Sequence, residues 1–274
     1  MALMLAERDD LTDRVALVTG GTRGLGRATV RALAEAGADV VVSSRKADAC
    51  EEAADEVRRL GRRALGHACH MADWDAIDRL VEAAYGAFER IDILVNNAAI
   101  SPLYDTPEDI TEELWDKTLG VNLKGPFRLT ALVGARMREH GGSIVNVSSI
   151  GAIRSTGDII PYAASKAGLN AMTVAFADAL GPHVRVNAVM PGPLRTDISA
   201  NWNHEAFAER ASTFPLRRAG EVEEAVGAIH YFASDAASFT TGAVLAVDGG
   251  AQWSLAGGGE QAERFNGSLF KGRP

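Results

Sequence analysis

In Tyr162-Ala163-Ala164-Ser165-Lys166 a phenol and an ammonium stand four residues apart, and on a helix that spacing places both on one face. A phenol titrates near 10 in water, and a close cation favours its anion. The pair therefore suits general acid–base work near neutral pH. Thirteen residues before Tyr162, Ser149 ends Ser148-Ser149 at the close of an apolar run. A hydroxyl there can hydrogen-bond a carbonyl oxygen as negative charge develops on it. Alone, a Tyr-Lys pair is more often a surface pair and a strand-ending Ser a turn residue. The weight lies in their falling together.

A second group of residues suits an anion. Thr19-Gly20-Gly21-Thr22-Arg23-Gly24-Leu25-Gly26 lies between a short β-rich run and the helical stretch 27–36. Gly20 can make the tight turn, Gly24 lets the backbone approach a pyrophosphate, and Gly26 allows close helix packing. The helix N-terminus behind them favours negative charge. The candidate contacts here are Gly20, Thr22, Arg23, Gly24, Leu25 and Gly26. About 20 residues on, where an NAD site places an acid on the ribose 2′-hydroxyl, the chain reads Ser43-Ser44-Arg45-Lys46. No carboxylate is present to repel a phosphate, and the guanidinium groups of Arg23 and Arg45 suit one. Ser44 and Arg45 therefore favour NADP(H), with NAD(H) as the alternative. His67, Cys69 and His70 lack a second ligand group at zinc-like spacing, so no metal is expected.

These groups need a scaffold that brings strand ends together. Runs at 15–19, 40–44, 63–68, 93–96, 143–148, 184–189 and 244–247 are rich in Val, Ile, Leu and Ala and alternate with helical stretches. That pattern predicts an α/β fold: a doubly wound parallel sheet of about seven strands, with helices on both faces. In the stretch 75–88, Ile77, Leu80, Val81, Ala84, Tyr85 and Phe88 form one apolar stripe. With no linker or repeat inside the pattern, 1–274 is read as a single domain with its core at about 10–250. Residues 194–216, with Trp202, Phe207 and Phe214, are long for a connection and form a candidate lid. Residues 251–274 are read as a flexible tail.

With 47% hydrophobic and 23% charged residues over 274, the composition is that of a globular protein, not a disordered one. A net charge of −8 argues against nucleic acid as a partner. Two cysteines, Cys50 and Cys69, are too few for a disulfide framework and suit a reducing compartment. No signal peptide or membrane span is legible, so the expectation is a cytoplasmic protein.

Taken with Asn96-Asn97-Ala98-Ala99, Val121-Asn122-Leu123-Lys124, Pro191-Gly192-Pro193-Leu194-Arg195-Thr196 and Val247-Asp248-Gly249-Gly250, these motifs occur in an order that resembles the short-chain dehydrogenase/reductases. The resemblance runs from about Asp10 to Gly250 and implies a Rossmann-type sheet. It also implies a catalytic tetrad. Tyr162 would protonate a ketone oxygen, Ser149 would orient it, and Lys166 would hold the nicotinamide ribose and lower the tyrosine pKa. Asn122 would sit at a helix irregularity and hold a water in a proton relay. Asn97, Ala98 and Ala99 would line the cofactor, and Pro191, Gly192, Leu194 and Thr196 would cover the nicotinamide and its phosphate. Two positions depart from the family pattern. Ala99 stands where Gly is usual, and His70 where an Asp commonly meets the adenine, so that contact would fall to His70 or to the backbone of Met71.

A hydrophobic ketone or a 3-oxoacyl chain is the expected substrate class, since Ile100, 150–153, Ile159, Ile160, Trp202 and Phe207 make an apolar wall. The resemblance extends to 3-oxoacyl carrier-protein reductases, although 177–184, with Asp178 and no Lys or Arg, offers little to an acidic carrier protein. The alternatives are an NAD-linked alcohol or sugar dehydrogenase and a non-catalytic NADP-binding sensor. The family resemblance further implies a homodimer or homotetramer built on the Asn122 and Tyr162 helices.

Overall fold

The computed structural model describes residues 8–195 and 204–254. Within them, β1 (Val15–Thr19), β2 (Asp39–Ser44), β3 (Ala64–Ala68), β4 (Ile93–Asn96), β5 (Gly142–Val147) and β6 (Val184–Pro191) lie in one parallel sheet. Two-residue strands β7 (Leu194–Arg195) and β8 (Gly220–Glu221) pair apart from it, and β9 (Val244–Val247) completes the sheet in the order β3-β2-β1-β4-β5-β6-β9. Adjacent strand residues face opposite sides. Thus Leu17 packs in one apolar cluster and Ala16 and Val18 in the other.

Each face is covered by helices that bury one apolar stripe. Helices α1 (Gly24–Glu35) and α2 (Ala47–Arg59) bring Val30, Leu33, Ala53 and Val57 to one face. On the other, α3 (Trp74–Phe88) contributes Ile77, Leu80, Val81, Ala84 and Phe88. Asp73 caps α3 by accepting the Ala76 N–H at 2.9 Å, which satisfies one of the donors a helix start leaves free. Next come α4 (Glu112–Leu119) and α5 (Gly125–Met137), joined by a π-turn at Gly120–Lys124. The long helix α6 (Ile160–Leu180) packs beside α5, whose Leu129 and Val133 join Ala177 and Leu180 of α6 in the same cluster. Then α7 (His204–Ser212) precedes α8 (Val222–Ala233), which places Ile229 and Phe232 on the α1 side.

The seven expected strands are those of the main sheet, with β6 running two residues further, to Pro191, while the short pair β7 and β8 was not expected. Helix α1 starts at Gly24, three residues earlier than its apolar pattern suggested, so Gly24 and Gly26 belong to its first turn. The expected lid holds β7 and α7, while its Thr196 and Trp202 lie outside the described residues. The start of the expected tail is built into the fold. Ala251 and Ser254 are buried, and Arg154 donates to the carbonyls of Gln252 and Ser254 at 3.0 Å each. No described helix is long and apolar enough to cross a membrane.

Candidate functional site

The strand order reverses between β1 and β4, and in such sheets a crevice opens beyond the carboxyl ends of those two strands. Gly20 follows β1 and Asn97 follows β4, and the two loops are stitched together. Thr19 Oγ1 accepts the N–H groups of Asn97 and Ala98 at 3.1 Å each, and the Asn97 amide donates to the carbonyls of Thr19 and Gly20 at 2.9 and 3.1 Å. Gly20 has φ +65°, and a Cβ there would lie 2.8 Å from Asn97 Nδ2 and 2.9 Å from Ala98 Cα. Only glycine relieves both the conformation and the crowding.

Gly20, Thr22, Arg23, Leu25, Gly26, Ser44, Arg45, His70, Met71, Asn97, Ala98 and Ala99 line this crevice. Gly24 stands beside it at the start of α1, with φ +51°. Thr22 and Ser44 hydrogen-bond through their hydroxyls at 3.2 Å, tying the glycine loop to the end of β2. His70 Nδ1 accepts the Ala72 N–H at 3.2 Å, which fixes the ring and leaves Nε2 as its other polar atom.

These residues fit a dinucleotide. The N-cap of α1, Arg23, makes no side-chain cap bond, and the first turn holds no acid, so the helix start keeps donors for a phosphate. Arg23 and Arg45 are exposed, and neither has a carboxylate partner among the described residues.

The catalytic candidates Ser149, Tyr162 and Lys166 meet just beyond β5 at the start of α6, and none of them is among the residues that line the crevice. Tyr162 and Lys166 face each other on the first turns of α6, with Lys166 Nζ 5.8 Å from the phenol ring centroid. Lys166 is 2% exposed, and its ammonium donates to the Val147 carbonyl at the end of β5 at 2.6 Å. Burial pulls that ammonium down to about 8. Ser149 Oγ accepts the Gly151 N–H at 3.1 Å and hydrogen-bonds the phenol of Tyr162. Burial nevertheless keeps the phenol above its ordinary range, the Ser149 contact offsetting only part of the rise. The expected lowering of the tyrosine by its neighbouring lysine is therefore corrected. The ammonium is turned to a backbone carbonyl, and desolvation dominates both groups.

Asn122 lies within the π-turn and is fully buried. Its Oδ1 accepts the Ile100 N–H at 2.9 Å, while Nδ2 donates to the Ile100 carbonyl at 2.8 Å and to Ser165 Oγ at 3.1 Å. Ser165 in turn donates to the Tyr162 carbonyl at 2.6 Å. In the side chain expected to hold a water, both amide hydrogens go to protein groups and the oxygen accepts one N–H. The side chain joins the crevice wall to the catalytic helix.

Other expected residues fall elsewhere. Gly192 donates its N–H to Val247 at 2.9 Å and sits beside Pro191 at the end of β6. Leu194 is buried in a separate recess with Pro215, Leu216 and Asp248, and Pro191, Gly192 and Leu194 are not among the crevice-lining residues. Of the apolar wall, Ile100 lines the crevice and Ile150 packs against Ala211 and Phe214 of the lid segment, while Ile153 is 54% exposed. His70 lies beyond the end of β3, and no metal-ligating cluster occurs among the described residues. Lys117 was missed. It lines the crevice and, with Arg23 and Arg45, an adjoining recess that also holds Glu113. A lysine on an otherwise solvated helix gives no sequence signal of its own.

Comparison with known proteins agrees with this geometry. A family model described as enoyl-(acyl carrier protein) reductase matches residues 20–252. The chain is 40% identical over 250 residues to dehydrogenase/reductase SDR family member 4 of Homo sapiens, covering 90% of each. It is 39% identical over 249 residues to L-rhamnose 1-dehydrogenase (NAD(P)(+)) of Azotobacter vinelandii, covering 88% of this chain and 97% of that one. Among solved structures, 7α-hydroxysteroid dehydrogenase complexed with NADH and 7-oxo glycochenodeoxycholic acid superposes with a TM-score of 0.85 at 30% identity, over 89% of this chain and 96% of that one. With sheet order, glycine loop and the Ser149, Tyr162 and Lys166 cluster all in place, the chain belongs to the short-chain dehydrogenase/reductase family.

Proposed function

We propose that this oxidoreductase is NADP(H)-dependent and transfers hydride between the nicotinamide and a hydrophobic ketone or 3-oxoacyl carbonyl, or the matching secondary alcohol. The observation that carries the cofactor choice is the crevice mouth, where Arg23 and Arg45 are exposed without carboxylate partners among the described residues. Lys117 adds a third cation to the same recess. Two guanidinium forks suit a 2′-phosphate, and nothing at Ser44 or Arg45 supplies the acid that a ribose diol would prefer.

When bound, the nicotinamide supplies the hydride. The chain supplies orientation and a proton. Tyr162 is kept protonated by its raised pKa and donates to the carbonyl oxygen, while Ser149 hydrogen-bonds that oxygen from the end of β5. Lys166 is charged below about pH 8 and provides the buried positive charge beside the phenol. Asn122 holds the crevice wall against α6 through Ile100 and Ser165. Ile150, Ile159 and the buried Phe207 support an apolar substrate.

The protein is further read as cytoplasmic, in keeping with its free, buried Cys50 and Cys69, and as a homodimer or homotetramer. Phe127 on α5 and Val174 on α6 are 43% and 55% exposed and would be covered by a second copy. An NAD-linked dehydrogenase is the second reading. One similar structure, complexed with NADH, favours it, and the NAD(P)(+) in the name of another similar protein allows it.

The test is cofactor oxidation followed by absorbance against hydrophobic ketones, 3-oxoacyl thioesters, diketones and sugar carbonyls, with NADPH and NADH in parallel. A charge-assisted contact contributes about 1.5–3 kcal/mol, so NADPH should lead in kcat/KM by about tenfold or more. Equal or better use of NADH would overturn the assignment of Arg23 and Arg45.

A further inference from the structure

Tyr104 lies on the loop after β4, outside the elements that carry the chemistry, yet its hydroxyl touches the start of the catalytic helix. It accepts the Ile160 N–H at 2.5 Å and donates to the Gly157 carbonyl at 2.8 Å. Ile160 is the first residue of α6, and its N–H is one that the helix cannot satisfy internally. The N-cap residue Ile159 makes no side-chain cap bond, and Pro161 brings no N–H of its own. A phenol 56 residues away in sequence does the capping instead.

The same loop begins as the crevice wall. Asn122 grips both backbone groups of Ile100, and Tyr104 follows four residues later. The wall at 97–104 and the first two turns of α6 are therefore tied at two points, through Asn122 to Ser165 and by Tyr104 to Ile160. The loop at 150–158 is tied at its middle by Arg154, to Gln252 and Ser254, and near its end by Tyr104, to Gly157. Tyr104 is 7% exposed, and burial raises its phenol, with Asp158 acting the same way and the Ile160 bond opposing them. It stays a neutral donor across the working pH range.

We propose that Tyr104 is a positioning residue for Tyr162: its hydroxyl fixes the first turn of α6 so that the Tyr162 phenol meets Ser149. This rests on the reading of Tyr162 as the proton donor. The groups that face Tyr162 are Ser149 and Lys166, and Ser149 is the one whose hydrogen bond favours the phenolate. A first turn set free loses that contact, and the Tyr162 phenol then becomes harder to ionise.

Tyr104→Phe removes one oxygen and keeps the ring. The expected result is a fall of about tenfold in kcat for carbonyl reduction, because a small misplacement of a reacting group is costly, with the Kd for NADPH by fluorescence unchanged. The second readout needs no turnover. Ultraviolet phenolate titration of Tyr104→Phe against Tyr104→Phe/Tyr162→Phe isolates Tyr162, as wild type against Tyr162→Phe does with Tyr104 intact. The midpoint should be higher in the Tyr104→Phe background. A midpoint that stays in place overturns the proposal, whatever happens to Tm. A loss of NADPH binding in parallel with kcat also overturns it, since the crevice wall rather than the phenol would then have moved. If no carbonyl is turned over by wild type, the reductase reading falls while the titration still decides the role of Tyr104.

Discussion

Around the start of α6 Asn122 and Lys166 are 0% and 2% exposed, and each polar end is bonded to a protein group, Ile100 and Ser165 for one and Val147 for the other. At the mouth of the glycine-loop crevice Arg23, Arg45 and Lys117 are exposed, around a recess whose acid is Glu113. Buried polar groups in a low dielectric depend on all of their partners at once. An exposed cation acts nearly alone and is screened by salt. Under the proposed roles, the difference teaches that the chemistry would be held by a network in which every change spreads, and the choice between cofactors by separable charges.

The largest effect should come from the buried cluster. Tyr162→Phe is expected to lower turnover by about a thousandfold, within the usual range for removal of a general acid, with the Kd for NADPH unchanged by fluorescence titration. The contrast between buried cluster and crevice mouth breaks if cofactor affinity falls as steeply as turnover.

Lys166→Met sharpens it through stability. The lysine stands at about 8 in the fold against an ordinary 10.5, so between those values the unfolded chain binds more protons. Its contribution to stability then rises with pH across that window, by about 3 kcal/mol at most. The methionine variant lacks this rise. Any advantage in Tm that it holds over wild type at pH 7 should shrink, by a few degrees, by pH 10. A gap independent of pH in thermal melts would mean that the ammonium is not desolvated.

Arg45→Gln is the mildest. It should lower kcat/KM for NADPH by about tenfold and leave NADH untouched, and the loss should fade as salt is raised. An equal loss for both cofactors in steady-state assays would show that the mouth, too, acts as a network.

Much of this was legible in the chain. The strands are buried on both faces and so read as apolar runs, and a glycine loop between β1 and α1 is marked by residues that no other conformation requires. Tyr162 and Lys166 share a helical face by spacing alone. Their electrostatics were not legible, because the sense of the tyrosine shift depends on where the ammonium points, and Val147 is a backbone acceptor that no sequence pattern marks. The same holds for Leu194, drawn into a recess by contact with Gly220, and for Tyr104, whose partners are backbone groups more than 50 residues away.

The carboxamide of Asn122 behaves like a displaced peptide unit. It accepts and donates to one residue, Ile100, as a neighbouring strand would, and spends its remaining hydrogen on Ser165. Few side chains can imitate a rung of a ladder in this way. Asp has the same outline but, as a carboxylate, no hydrogen to give, and Gln has the right group one methylene too far out. Ser is polar but cannot span the gap. The position is therefore narrow in sequence for a reason of shape and donor count, and Asn122→Asp would leave the Ile100 carbonyl and Ser165 without their donor while hardly altering the volume inside the fold.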